Sequence, residues 1–118
     1  MLIFFNGGGA CWSGQACDLD SELNIHTPFA DSNENNPVLD DGIFNLTNSE
    51  NPFINYNMVF IPYCTGDVFI GSGPRDYSYA NSTGEEVRYT AFHNGYENSM
   101  EIIEWIYRNF QTPDKIVM

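Results

Sequence analysis

Leu2-Ile3-Phe4-Phe5-Asn6-Gly7-Gly8-Gly9-Ala10-Cys11-Trp12 joins a run of apolar residues to three consecutive glycines. The apolar run has the length and composition of a buried strand. Gly7-Gly8-Gly9 leaves the backbone free to take positive φ and lets its N–H groups approach a ligand closely. A strand that empties into such a loop suits the stabilisation of negative charge. That is the device by which acyl-transfer enzymes hold a developing oxyanion. A tight turn with no chemistry is the plain alternative. A phosphate cradle is a poorer one, because no lysine follows and the Gly-x-x-x-x-Gly-Lys-Ser/Thr spacing is absent.

Outward from this stretch, Met58-Val59-Phe60-Ile61 resumes the core as a second apolar strand, apolar throughout as a parallel strand covered on both faces would be. Pro62 ends it, since proline cannot donate to a ladder. Residues 65–70 continue as a loop or short strand, and Gly71-Ser72-Gly73-Pro74 reads as a turn cluster. Val87, Tyr89 and Ala91 alternate with Glu86, Arg88 and Thr90, the pattern of a half-exposed strand. Tyr96, Met100, Ile103, Tyr107 and Phe110 recur at helical spacing, with Ile102 and Ile106 widening the face. This places a helix over 97–110 with its Tyr/Met/Ile face in the core. Residues 115–118 begin another buried strand. The order strand, glycine loop, insertion, strand, loops, helix, strand argues for α/β class and a mostly parallel sheet.

Between the apolar regions, 18–56 forms a long polar excursion rich in asparagine, with Pro28, Pro37 and Pro52. Such composition favours turns over ladders. A loop of this length is usually functional or mobile. The chain thus divides into a strand and glycine loop (1–17), the excursion (18–56), and a strand–loop–helix–strand segment (57–118), all parts of one domain.

With 118 residues the chain is at most one domain, smaller than a whole α/β hydrolase. Sixteen acidic residues against four basic ones give a net charge of −12, which repels nucleic acid and anionic membrane surfaces. No apolar run approaches the roughly 20 residues that span a bilayer, and the N-terminus carries no signal-peptide pattern.

Of three cysteines, Cys11 and Cys17 are close enough to clip a small loop, which would imply an oxidising compartment. Three free thiols are the alternative. A zinc site lacks the paired Cys-x-x-Cys spacing, so no metal is expected. Ser13 is the serine nearest the glycine loop but lacks a strand-to-helix elbow. His26 and His93 read as surface or capping histidines. Asn45-Leu46-Thr47 and Asn81-Ser82-Thr83 match the N-glycosylation sequon.

Asn6-Gly7-Gly8-Gly9-Ala10-Cys11-Trp12 together with Ile61-Pro62-Tyr63-Cys64-Thr65-Gly66-Asp67-Val68, and Asn51-Pro52 ahead of the second strand, resembles the pectinacetylesterase/Notum family of serine hydrolases. The resemblance implies an α/β-hydrolase fold that cleaves carboxylic esters through Ser, His and Asp without a cofactor. It implies an acylated substrate, either an acetylated polysaccharide or an acyl-protein, and a secreted or periplasmic parent. It assigns Gly8, Gly9 and Ala10 to the oxyanion loop and puts Gly7, Trp12, Tyr63 and Asp67 around the substrate. No Gly-x-Ser-x-Gly occurs in the chain, and Gly71-Ser72-Gly73 has the wrong spacing. The expectation is therefore an N-terminal piece that stops just before the nucleophile elbow, inactive and poorly folded by itself. The competing expectations are a non-catalytic acidic binding module, for a glycan or for calcium near Asp40-Asp41-Gly42, and a degenerate pseudo-hydrolase.

Overall fold

The computed structural model describes residues 1–25, 27–30, 35, 37 and 42–118. Strand β1 (Leu2–Phe5) pairs in parallel with β2 (Met58–Ile61), Leu2 opposite Met58 and Phe5 opposite Ile61. Helix α1 (Gly14–Cys17) is a single turn after the glycine loop. Strands β3 (Gly73–Ala80) and β4 (Glu86–His93) form an antiparallel hairpin, and α2 (Gly95–Asn109) follows. The two pairs are separate two-stranded sheets.

The β1–β2 pair is covered on both faces, which is why both strands are apolar at every position. On one face Met1, Ile3 and Ile61 pack with Ile106 of α2, flanked by Phe5, Val59, Ile102 and Phe110. On the other, Phe4 stacks on Phe60 and meets Phe44 edge-on at 4.9 Å, Phe44 coming from a 3-10 turn over Gly42–Phe44. The free edge of β1 is met by the end of the chain. Leu2 and Val117 form a parallel bridge, with Ile3 N–H donating to Val117 C=O and Val117 N–H to Met1 C=O. The strand expected over 115–118 is thus present as a single bridge.

A mostly parallel sheet is not confirmed: among the described residues the parallel β1–β2 pair, with the Leu2–Val117 bridge, stands beside an antiparallel hairpin. Two other sequence expectations are corrected. Gly73 and Pro74, read as part of a turn, begin β3, an edge strand, and the start of an edge strand is where a sheet tolerates proline. The core face of α2 is displaced. Tyr96, Met100 and Tyr107 are 52%, 41% and 71% exposed, while Gly95, Ser99 and Ile106 are buried. Small residues let the start of the helix sit tightly against the loop that precedes β3, and a hydrophobic pattern does not register them.

The asparagine bias of the excursion has a local cause. Asn45, Asn48 and Asn51 each accept, through Oδ1, the N–H two residues on, from Thr47, Glu50 and Phe53. These are successive Asx turns, in which the side chain takes the place of a backbone partner. Asn51 is itself buried and also donates to the carbonyls of Ile43 and Asn45. His26 and Asp40-Asp41 lie outside the described residues.

Candidate functional site

The glycine loop leaves β1 at its carboxyl end, beside the carboxyl end of β2. In open parallel sheets that end is where ligands bind. Asn6 N–H donates to Ile61 C=O, still in step with β2, and Cys11 N–H donates to Gly66 C=O. Between these two anchors, the N–H groups of Gly7, Gly8, Gly9 and Ala10 find no protein acceptor among the described residues. A run of consecutive unspent donors on a loop pinned at both ends can receive an anionic oxygen with little reorganisation.

Gly7, Gly8 and Gly9 line a cleft of about 470 Å³ with Asn24, Ile25, Thr27, Asn35 and Tyr63. Glycine is required here by close approach. A Cβ on Gly8 would lie 2.6 Å from Tyr63 Cδ1, and one on Gly9 would collide with the Ile25 carbonyl. At Gly7 nothing stands within 4 Å. Of the residues expected around the substrate, the fold brings Gly7, Gly8, Gly9 and Tyr63 together. Ala10 is beside this cleft in sequence and does not line it.

Asn35 was not singled out by the sequence, where it is one asparagine in a run of them. It is 5% exposed, and its Oδ1 accepts from Asn6 Nδ2 at 2.9 Å and from Tyr63 N–H at 3.1 Å. Its Nδ2 donates to Phe29 C=O. Asn35 thus ties the excursion to the ends of both parallel strands.

Trp12 and Asp67 belong to a different cleft, of about 550 Å³, which they share with Ile70, Arg75, Tyr77 and His93. Trp12 is 75% exposed. The Asp67 carboxylate is fully engaged. It accepts from Thr65 Oγ1 (2.6 Å), from Phe69 N–H (3.1 Å) and from Gly95 N–H (2.7 Å). The last bond caps the first turn of α2, whose own N-cap, Asn94, makes no side-chain cap. A carboxylate at a helix N-terminus also meets the positive end of the dipole. In this structure Asp67 clamps a loop to a helix. The clamp holds Val68 and Phe69 at φ values of 57° and 59°, in the left-handed region that a β-branched residue rarely adopts. Tyr63 adds to it by accepting Val68 N–H at 2.8 Å through its hydroxyl oxygen. Burial pushes the Tyr63 hydroxyl above the ordinary tyrosine range, so it stays protonated.

The segment after the glycine loop is stapled. Cys11 and Cys17 form a disulfide, with Cα atoms 4.9 Å apart. Around it pack Ala16, Tyr77 and Tyr89, the tyrosines coming from the inner face of the β3–β4 hairpin. Tyr89 donates to Gly14 C=O and Tyr79 to Asp18 Oδ2. Burial first, then the Asp18 charge and the neighbouring tyrosines, pushes Tyr89 up to about 12. Ser13 is the N-cap of α1, its Oγ accepting from Ala16 N–H. His93 is buried. Nδ1 faces Thr65 C=O at 2.8 Å and, since a carbonyl only accepts, carries a proton; Nε2 lies 2.9 Å from the Tyr77 hydroxyl, within hydrogen-bond distance. The Cys11 and Cys17 sulfurs and a His93 nitrogen lie within 4.8 Å of one another, but the disulfide leaves no thiolate to coordinate a metal.

Parallel strands end here in a loop of unspent N–H donors over a cleft, a geometry able to receive an anionic oxygen. Comparison with known proteins supplies the family: the pectinacetylesterase profile matches residues 1–110, and the chain belongs to the pectinacetylesterase family. It is similar to the palmitoleoyl-protein carboxylesterase notum1a of Danio rerio, 35% identical over 86 residues, which is 69% of this chain and 17% of that protein. It is 37% identical over 75 residues to the inactive palmitoleoyl-protein carboxylesterase notum1b of Danio rerio, covering 63% of this chain and 53% of that protein. The Notum carboxylesterase of Mus musculus is 31% identical over 86 residues, 69% of this chain and 17% of that protein. The chain thus spans between 17% and 53% of the length of these relatives. No solved structure matches it. Among the described residues no helix is long and apolar enough to cross a membrane.

Proposed function

We propose that this chain supplies the oxyanion-stabilising part of a serine carboxylic-ester hydrolase with a partial α/β-hydrolase fold. The observation that carries it is the row of N–H groups from Gly7 to Ala10 without acceptors among the described residues, at the carboxyl end of β1. Gly8 and Gly9 receive the oxygen of the scissile ester as it becomes an oxyanion. Gly7 and Tyr63 border the ester. The nucleophile, its base and the acid that orients it come from parts of the parent protein outside these 118 residues. By itself the chain is inactive. Its family and its disulfide support a secreted or periplasmic parent, because such bridges persist in oxidising compartments.

The cleft favours a short acyl group on a polar carrier. Its lining is Asn24, Thr27, Asn35, Tyr63 and glycine backbone, with Ile25 as its one aliphatic side chain among the described residues. A long acyl chain needs a predominantly apolar pocket. An acetylated polyhydroxyl carrier matches these amides and hydroxyls better than a fatty acyl chain.

The test is ester hydrolysis by the whole parent protein, with acetyl and long-chain acyl esters compared. The acetyl ester is expected to be cleaved at least about tenfold faster by kcat/KM. Gly8→Ala, which forces the loop and Tyr63 apart, should lower kcat about 10²-fold, as loss of an oxyanion donor does. Retention of more than a tenth of wild-type kcat in a folded Gly8→Ala protein would overturn the assignment. A second possibility, a degenerate pseudo-hydrolase, is favoured by one finding: a relative of comparable coverage is named as inactive. Absence of hydrolysis of either ester by the folded parent would select it.

A further inference from the structure

We infer that Asn81 is an acceptor for an N-linked oligosaccharide. This stands independently of the esterase proposal, since it concerns a hairpin turn none of whose residues lines the glycine cleft. Asn81-Ser82-Thr83 is one of two Asn-x-Thr sequences in the chain, and it forms the turn between β3 and β4. The turn is built for exposure. Gly84 takes φ +84°, a value glycine adopts without strain, and Ser82, Thr83, Gly84 and Glu85 are all exposed. The Asn81 side-chain oxygen accepts from Thr83 N–H (3.0 Å), Thr83 Oγ1 (2.7 Å) and Glu85 N–H (2.9 Å). That leaves the amide nitrogen, the atom to be modified, with only a long 3.4 Å contact to Glu85 Oε2. Asparagine and the threonine hydroxyl at +2, the pair that defines the acceptor, are thus presented side by side at a hairpin tip.

The product is also tolerated. Tyr77 and Tyr89, which pack on the disulfide, are opposite each other in the ladder, four residues from Asn81 along β3. At about 3.4 Å per residue Asn81 stands ~14 Å beyond that cluster and ~7 Å beyond Tyr79, which reaches α1 and Asp18. A glycan there adds bulk in solvent without meeting the core. Asn45-Leu46-Thr47 repeats the same local bonds and matches it in exposure, Asn45 being half-buried like Asn81 with Leu46 and Thr47 exposed. The difference lies in anchoring: buried Asn51 donates to the Asn45 carbonyl and holds that loop against the protein, whereas Asn81 stands at a hairpin tip.

The donor is a lipid-pyrophosphate-linked oligosaccharide, the co-reactant of a secretory compartment. A bond forms between Asn81 Nδ2 and C1 of the first sugar, and the C1–O bond to pyrophosphate breaks. The lipid pyrophosphate leaves with the electron pair, and Nδ2 loses one proton to a base of the transferase. Nothing is oxidised or reduced.

The experiment expresses the intact protein through a eukaryotic secretory pathway. Peptides are then mapped by mass spectrometry before and after an amidase that removes N-glycans and converts the carrying Asn to Asp. A glycan on the Asn81 peptide, lost in Asn81→Gln and in Thr83→Ala but kept in Ser82→Ala, is the expected result. An unmodified Asn81 in material that has entered the compartment would overturn the inference, as would modification confined to Asn45. Ester hydrolysis by Asn81→Gln should match wild type, which separates this outcome from failure of the esterase proposal.

Discussion

At the residue scale the chain spends its exceptional residues on close approach. Gly8 and Gly9 are there because Tyr63 and the Ile25 carbonyl stand where a Cβ would be, and the N–H groups beside them stay unspent as a consequence. Asn35 and Asp67 are polar side chains whose oxygens are consumed inside the fold: Asn35 holds two donors from distant parts of the chain, and Asp67 joins two local donors to Gly95, 28 residues on. Tyr89 makes a prediction at this scale. Its hydroxyl ionises near 12 in the folded chain and near 10 when unfolded. Between those values the unfolded state binds fewer protons, so stability is intact below pH 10 and falls as pH rises toward 12. Burial of Tyr63 and the Asp18 bond to Tyr79 shift those groups the same way and add to the slope. Melting temperatures of the parent protein across pH 9 to 12, compared with Tyr89→Phe, should show a decline that is shallower in the variant. An equal decline in both would show that Tyr89 titrates normally.

At the element scale, two short segments are held by partners far away in sequence. Helix α2 receives its N-terminal cap from Asp67, 28 residues upstream, because Asn94 supplies none. Asp67→Ala removes that cap and also strands the Phe69 N–H. A cost of about 2 kcal/mol is expected. Amide hydrogen exchange should accelerate at the first turn of α2 before it does so at Ile106; unchanged protection there would refute the capping role. Helix α1 is too short to persist alone, and the Cys11–Cys17 bridge with the hairpin tyrosines fixes it. Closing a loop of this size is worth about 2 kcal/mol by chain-entropy reckoning. Reduction should therefore lower the melting temperature and loosen the packing of Tyr77 and Tyr89, visible as a loss of near-ultraviolet circular dichroism. A reduced protein with the same melting temperature would remove the bridge from the stability account.

At the scale of the whole molecule, the described architecture is open. The Cα radius of gyration is 17.4 Å, whereas a compact domain of this length would have about 13–14 Å. Its accessible surface is 8073 Å², against roughly 6,500 Å² for a compact protein of the same mass. Tyr96, Met100, Trp105, Tyr107, Ile116 and Met118 contribute exposed apolar area on and beside α2. A surface of that kind is stable when further structure packs on it. We therefore expect the isolated 118-residue chain to show no cooperative thermal transition as a monomer, by calorimetry combined with sedimentation. A sharp, reversible monomeric transition would contradict this.

Local chemistry was legible in the sequence. β1 and β2 are apolar at each position, Pro62 follows the end of β2, and Val87, Tyr89 and Ala91 alternate on the inner face of β4 as their spacing requires. The glycine run declared a loop of free donors after a strand, and its setting, with the Tyr63–Val68 segment, carried the family. What the sequence hid depended on distance. β3 was masked by Gly73 and Pro74, whose turn chemistry is overridden by pairing with β4. The buried side of α2 was missed because Gly95 and Ser99 are buried for their smallness, against Asp67 and within the helix itself. Tertiary contact gives Asp67 a helix to cap, through a partner 28 residues away that no local pattern names. The sequence by itself determined which segments are apolar, where the chain turns and which loop offers its amides, because these follow from short-range backbone preference and side-chain solubility. Only the tertiary structure decided which polar groups are consumed and which remain free, because a hydrogen-bond partner 28 residues away is set by packing and leaves no periodic trace.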